Sequence, residues 1–132
     1  MTYYFTTITN GSFKTVEAKV VALLKDEGFG VLTEIDMQQT LKNKMHVDFR
    51  KYKILGACNP PFAYKALQVE NKIGVMLPCN VIIQENAPNT IEVSAINPLL
   101  SMQGVKNNQL DEVAKAVSTK LENVIKRINN EK

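Results

Sequence analysis

The sequence predicts an α+β fold, a two-layer sandwich with helices packed on a largely antiparallel sheet. Three observations lead there. Apolar residues recur at helical spacing in two long stretches, Phe13–Leu24 and Leu110–Ile128. Shorter β-branched or alternating segments lie before, between and around them. Two of those segments are joined by Asn86-Ala87-Pro88-Asn89, four turn formers in a row, which reads as a hairpin and makes its strands antiparallel. Helices and sheet must then bury their apolar faces against each other, in two layers. The chain has 132 residues, close to the commonest domain size, so residues 1–132 are expected to form one α+β domain.

In chain order, Tyr3–Thr9 is β-branched and aromatic, ends at Asn10-Gly11, and is a first strand. Ser12 is placed to cap a helix whose buried stripe is Phe13, Val16, Val20, Leu23 and Leu24. Gly28 supplies its stop. Phe29–Ile35 alternates, with Phe29, Val31, Thr33 and Ile35 on one face, as a second strand. Asp36 and Gln39 have the spacing of a capping box, followed by a stripe of Met37, Leu41 and Met45. His46–Lys51 is a polar connection. Tyr52–Cys58 is apolar on both faces, as suits a strand inside a sheet. Asn59-Pro60-Pro61 ends it and starts a helix buried through Phe62, Ala63, Ala66, Leu67 and Val69, because proline is tolerated in a first turn. Cys79–Glu85 and Thr90–Ile96 form the hairpin; pairing Glu85 with Thr90 sets Ile82 against Val93. Asn97-Pro98 opens a short helical turn. The last helix, capped at Asn108, is buried through Leu110, Val113, Val117, Leu121, Val124, Ile125 and Ile128.

Charge divides the chain. From Tyr52 to Leu100 only six of forty-nine residues are charged, against twenty-three in the other eighty-three. What cannot be solvated is buried, so the low-charge middle is expected to supply the core and any site to border it. The net charge of +3 is spread along the chain, which argues against a nucleic-acid partner. No apolar run reaches the roughly 18 residues of a membrane span, and the N-terminal Met1-Thr2-Tyr3-Tyr4-Phe5 does not look like a signal peptide. A soluble, cytoplasmic protein with no membrane partner is expected, its two cysteines reduced.

Four motifs resemble one family. Gly28-Phe29-Gly30-Val31-Leu32-Thr33-Glu34-Ile35-Asp36, Ile54-Leu55-Gly56-Ala57-Cys58-Asn59-Pro60-Pro61, Leu77-Pro78-Cys79-Asn80-Val81 and Ser94-Ala95-Ile96-Asn97-Pro98 are similar to the bacterial and archaeal family called domain of unknown function 302. The resemblance runs in order from about Tyr3 to the final helix. It implies a β-α-β(4)-α fold and a dimer, and no assigned activity; the cofactors stay unknown. The chain departs from the family at Asn97, where an acidic residue often precedes the proline.

Both cysteines lie in the low-charge middle, each followed by asparagine: Cys58-Asn59 and Cys79-Asn80. If their strands run antiparallel, the end of one and the start of the other meet, and the four residues form a candidate ligand-binding edge. The Pro60 helix is then expected to aim N–H groups at the thiols and lower a pKa. Buried small hydrophobes are the plainer reading of the cysteines, and helix capping that of Asn59. His46 is the sole histidine; with Asp48 it can form an oriented base, or simply be solvated. One histidine and two cysteines fall short of a structural zinc site, so no metal is expected. Glu34 and Asp36 lack a partner motif, and the catalytic residues stay unknown. The resulting expectation is a dimeric module that binds a small molecule or a protein partner at the Cys58/Cys79 edge. The alternative is a thiol-dependent redox enzyme or sensor using the same two cysteines.

Overall fold

A computed structural model describes residues 2–130. Five strands, β1 (Tyr4–Asn10), β2 (Gly30–Asp36), β3 (Tyr52–Cys58), β4 (Cys79–Ala87) and β5 (Thr90–Ile96), form one sheet in the order β1-β5-β4-β3-β2. Every neighbouring pair is antiparallel. Among the described residues five α-helices complete the fold: α1 (Phe13–Asp26), α2 (Met37–Met45), α3 (Pro60–Val69), α4 (Pro98–Ser101) and α5 (Asp111–Asn130). The α+β sandwich that the sequence predicts is the observed architecture.

The caps follow the local chemistry. Ser12 accepts a hydrogen bond from the Thr15 N–H, and Asp36 accepts one from the Gln39 N–H, both at the start of their helices. Gly28 takes φ +91°, the left-handed conformation that ends α1 without a Cβ penalty. The cap of the final helix differs from expectation. Asn107, not Asn108, accepts from the next turn, and a 3₁₀ turn at Asn108–Leu110 leads into α5.

One face of the sheet carries the core. Leu55, Ala57, Val81, Ile83, Ile91, Val93 and Ala95 meet Val20 and Leu24 of α1 and Leu121, Val124 and Ile128 of α5. The predicted stripes of α1 and α5 are both buried, apart from Val113, which is half-buried. The α2 stripe buries nothing completely: Met37 and Leu41 are half-buried and Met45 is exposed.

Two registers differ from the sequence expectation, each through a bulge. In β2 the pairing shifts between Val31 and Thr33, so Val31 faces Ala57 while Thr33 and Ile35 face Gly56 and Ile54. The extra residue reverses the alternation, and Val31 no longer shares a face with Thr33 and Ile35. In the hairpin the pairing shifts between Glu85 and Ala87, and Ala87 pairs with Thr90. The strand runs two residues further and Pro88-Asn89 make the turn, with Asn89 at φ +59°. Ile83 therefore faces Val93, and Ile82 faces Ser94. A one-residue slip exchanges faces, so Ile82 belongs to the side away from the core.

That second face is apolar in part, with Tyr52, Ile54, Ile82 and Ile96 half-buried and Tyr4, Ile8 and Ile35 exposed. Arg50 donates to Gln84, which donates to Glu92, and Thr6 and Ser94 share a hydrogen bond. No described helix is long and apolar enough to cross a membrane.

Candidate functional site

Antiparallel pairing of β3 and β4 brings the end of one strand to the start of the other. Ala57 is the direct partner of Cys79, and Cys58 lies one residue on. Both cysteines are free thiols. At this end of the sheet, residues of α3 and α5 line an open-mouthed cavity of about 300 Å³. Ala57 and Cys79 form part of its floor, Phe62, Ala63 and Ala66 line it from α3, and Ala114 and Val117 from α5. Four alanines at these positions leave room that larger side chains would fill. Leu32 and Leu67, 69% and 42% exposed, stand among the lining residues at its apolar mouth.

Cys58, Asn59 and Cys79 line this cavity. Asn80 does not. It is exposed and borders a groove of about 370 Å³ that includes Tyr4, Tyr52 and Gln84. The reason is the pleat: Asn80 follows Cys79, so its side chain leaves the strand on the opposite face.

Asn59 sits at the N-cap of α3 but makes no side-chain capping bond. Its Nδ2 donates instead to the Glu27 carbonyl at the end of α1, at 3.2 Å. The side chain is buried and ties the end of α1 to the start of α3.

The helix does not present the thiols with a row of free N–H groups. Pro60 and Pro61 have none, and the Ala63 N–H bonds to the Asn59 carbonyl at 2.9 Å. Nor is Cys79 activated. Burial first, and then the charge of Cys58 nearby, push its pKa up from 9.0 to about 11. Near neutral pH Cys79 is a protonated, poorly nucleophilic thiol.

The raised value makes stability depend on pH. Unfolding frees Cys79 to ionise near 9.0, whereas the folded protein holds its proton until about 11. The contribution is therefore complete below pH 9 and lost as pH rises through 11. Between those values the wild type should lose about 2 kcal/mol more stability than Cys79→Ala, at ~1.4 kcal/mol per pKa unit. Urea midpoints for both proteins across that range measure the difference.

The other candidates lie elsewhere. His46 is exposed in the left-handed conformation that closes α2, and Asp48 pairs with Lys42 at 3.0 Å. Glu34 bonds Lys53 at 2.7 Å, and Glu17 reaches the same ammonium at 3.1 Å. Glu34 most of all, then Glu17, hold Lys53 above its ordinary pKa, with burial opposing them. Asp36 is engaged in its cap. Among the described residues no group of three or more His, Cys, Asp or Glu is placed to hold a metal ion. Asn97 is buried and fully engaged: it accepts from the Leu99 N–H and the Ser118 hydroxyl and donates to the Thr2 carbonyl.

The lining from α5 is what the sequence reading missed. Val117 belongs to the stripe that reads as core and Ala114 lies beside it, and periodicity does not distinguish a residue facing a neighbour from one facing a void.

No curated protein matches the chain. A crystal structure of an uncharacterized conserved protein from Bacillus stearothermophilus, itself described as DUF302, superposes with a TM-score of 0.89 at 25% sequence identity. That similarity covers 98% of this chain and 100% of the other. The model of the family described as domain of unknown function DUF302 matches residues 4–128. On that match, supported by the shared fold, the chain belongs to the DUF302 family.

Proposed function

We propose that this chain is a non-enzymatic, homodimeric module that binds a small apolar molecule in the cavity at the Cys58/Cys79 edge. One observation supports the reading above all: among the described residues the cavity lining contains no charged side chain and, apart from Asn59 and the two thiols, no polar one. Protein interiors are close-packed, and unfilled apolar volume costs stability. A volume of about 300 Å³ is about twice the ~150 Å³ that accommodates benzene in an engineered core. The thiol-dependent reading has less behind it, because the buried Cys79 keeps its proton at neutral pH.

Indole is a suitable neutral probe. At tenfold its dissociation constant, a ligand that binds only the folded state adds about 1.4 kcal/mol of stability. Indole should therefore raise the melting temperature of the wild type and leave that of Ala63→Phe, whose ring fills the cavity, unchanged. Equal shifts in both proteins, or none in the wild type at millimolar indole, would contradict the reading.

The dimer is proposed to form through the face of the sheet away from the core, where Tyr4, Ile8 and Ile35 remain exposed. Light scattering after gel filtration should give twice the chain mass of 14.8 kDa. A mass near 14.8 kDa across micromolar concentrations would rule the dimer out.

A further inference from the structure

The hydrogen bonding of Asn59 narrows what the cavity holds. The Glu27 carbonyl can only accept, so the Asn59 amide group must turn its NH2 toward it, and the 3.2 Å bond fixes the orientation. The carboxamide oxygen Oδ1 then points away from Glu27. Among the described residues nothing donates to Oδ1, yet no buried side-chain oxygen or nitrogen is left without a partner. Oδ1 is thus accessible, on a side chain that belongs to the cavity lining and is only 8% exposed. Among the described residues it is the one strong side-chain acceptor in an otherwise apolar lining with no cation.

Building on the binding function proposed above, we infer that the cavity takes an uncharged ligand with an apolar body and one hydrogen-bond donor, an alcohol, phenol or indole, whose donor is received by Asn59 Oδ1. A carboxylate or phosphate finds no partner there and loses its hydration. A hydrocarbon fits but leaves Oδ1 without a donor.

Three probes of one shape test this: 1-naphthol, naphthalene and 1-naphthoate, titrated at pH 7 with calorimetry or methyl resonances as the readout. A neutral hydrogen bond is worth about 0.5–1.5 kcal/mol, so naphthol should bind about 2- to 10-fold tighter than naphthalene. Naphthoate should bind at least about 10-fold more weakly than naphthol. In Asn59→Ala the naphthol preference should vanish while naphthalene still binds. If that variant does not fold, a shift of the Asn59 side-chain amide resonances on adding naphthol, absent with naphthalene, serves instead. Equal binding of naphthol and naphthalene, or tighter binding of naphthoate, overturns the inferred ligand class and leaves cavity binding standing. Failure of all three probes to bind overturns both.

Discussion

Leu121→Ala should destabilise the protein by about 3 kcal/mol, within the ~2–5 kcal/mol range for truncating a fully buried leucine. Leu121 is 0% exposed and lies in the middle of the α5 stripe, between Val117 and Val124, in the cluster that joins α5 to the sheet and to α1. The cost has two parts: apolar surface lost from burial, and the hole left where helix and sheet cannot close together. Lys115→Ala, on the exposed side of the same helix, should change stability by under about 0.5 kcal/mol. Urea melts with unchanged slope would register both as shifts in midpoint. Equal effects at the two positions would mean that α5 faces the sheet differently.

Gly56→Ala should cost about 3 kcal/mol, for the opposite reason. A Cβ at Gly56 would clash with Thr33 Oγ1 and lie 2.6 Å from Pro78 Cγ. The Thr33 hydroxyl can rotate away, but the proline ring has no such freedom, so Pro78 and the start of β4 must move. Overpacking of this kind typically costs ~1–3 kcal/mol, and a rigid obstacle puts it at the upper end. Pro78 and Cys79 both line the cavity, so the same substitution should also weaken indole binding. Gly30→Ala is the matched control in the neighbouring strand, since nothing lies within 4 Å of a Cβ there. Its effect on stability should be small. A neutral Gly56→Ala would show that β3, Thr33 and Pro78 are not tightly nested.

Much of this was legible in the sequence where the physics is local. The buried stripes of α1 and α5, the caps at Ser12 and Asp36, and the bounds of β3 and β5 all follow from neighbours a few residues apart. The bulges at Val31/Thr33 and Glu85/Ala87 were not legible, because an extra residue changes the face of a side chain without altering composition. The cavity was legible only in part. Cys58, Asn59 and Cys79 could be brought to one edge by assuming antiparallel strands. That Asn80 turns away follows from alternation, once Cys79 is known to face the helices. The α5 lining was hidden, because Val117 reads as ordinary core and the small Ala114 beside it gives no signal of a void. The two prolines after Asn59 carried a plain signal that the helix start is poor in donors, and the expectation of an activated thiol passed over it.

The claim that matters most is that the space between α3, α5 and the Cys79 end of the sheet is a ligand site. Intermolecular nuclear Overhauser effects from bound indole to assigned methyl groups test it most directly. The structure calls for contacts to Ala63, Ala66, Ala114 and Val117, which line the cavity from both helices. Contacts confined to Ile82 and Ile96, in the groove on the opposite face, would contradict it, as would saturating indole that gives no contact to any of the four.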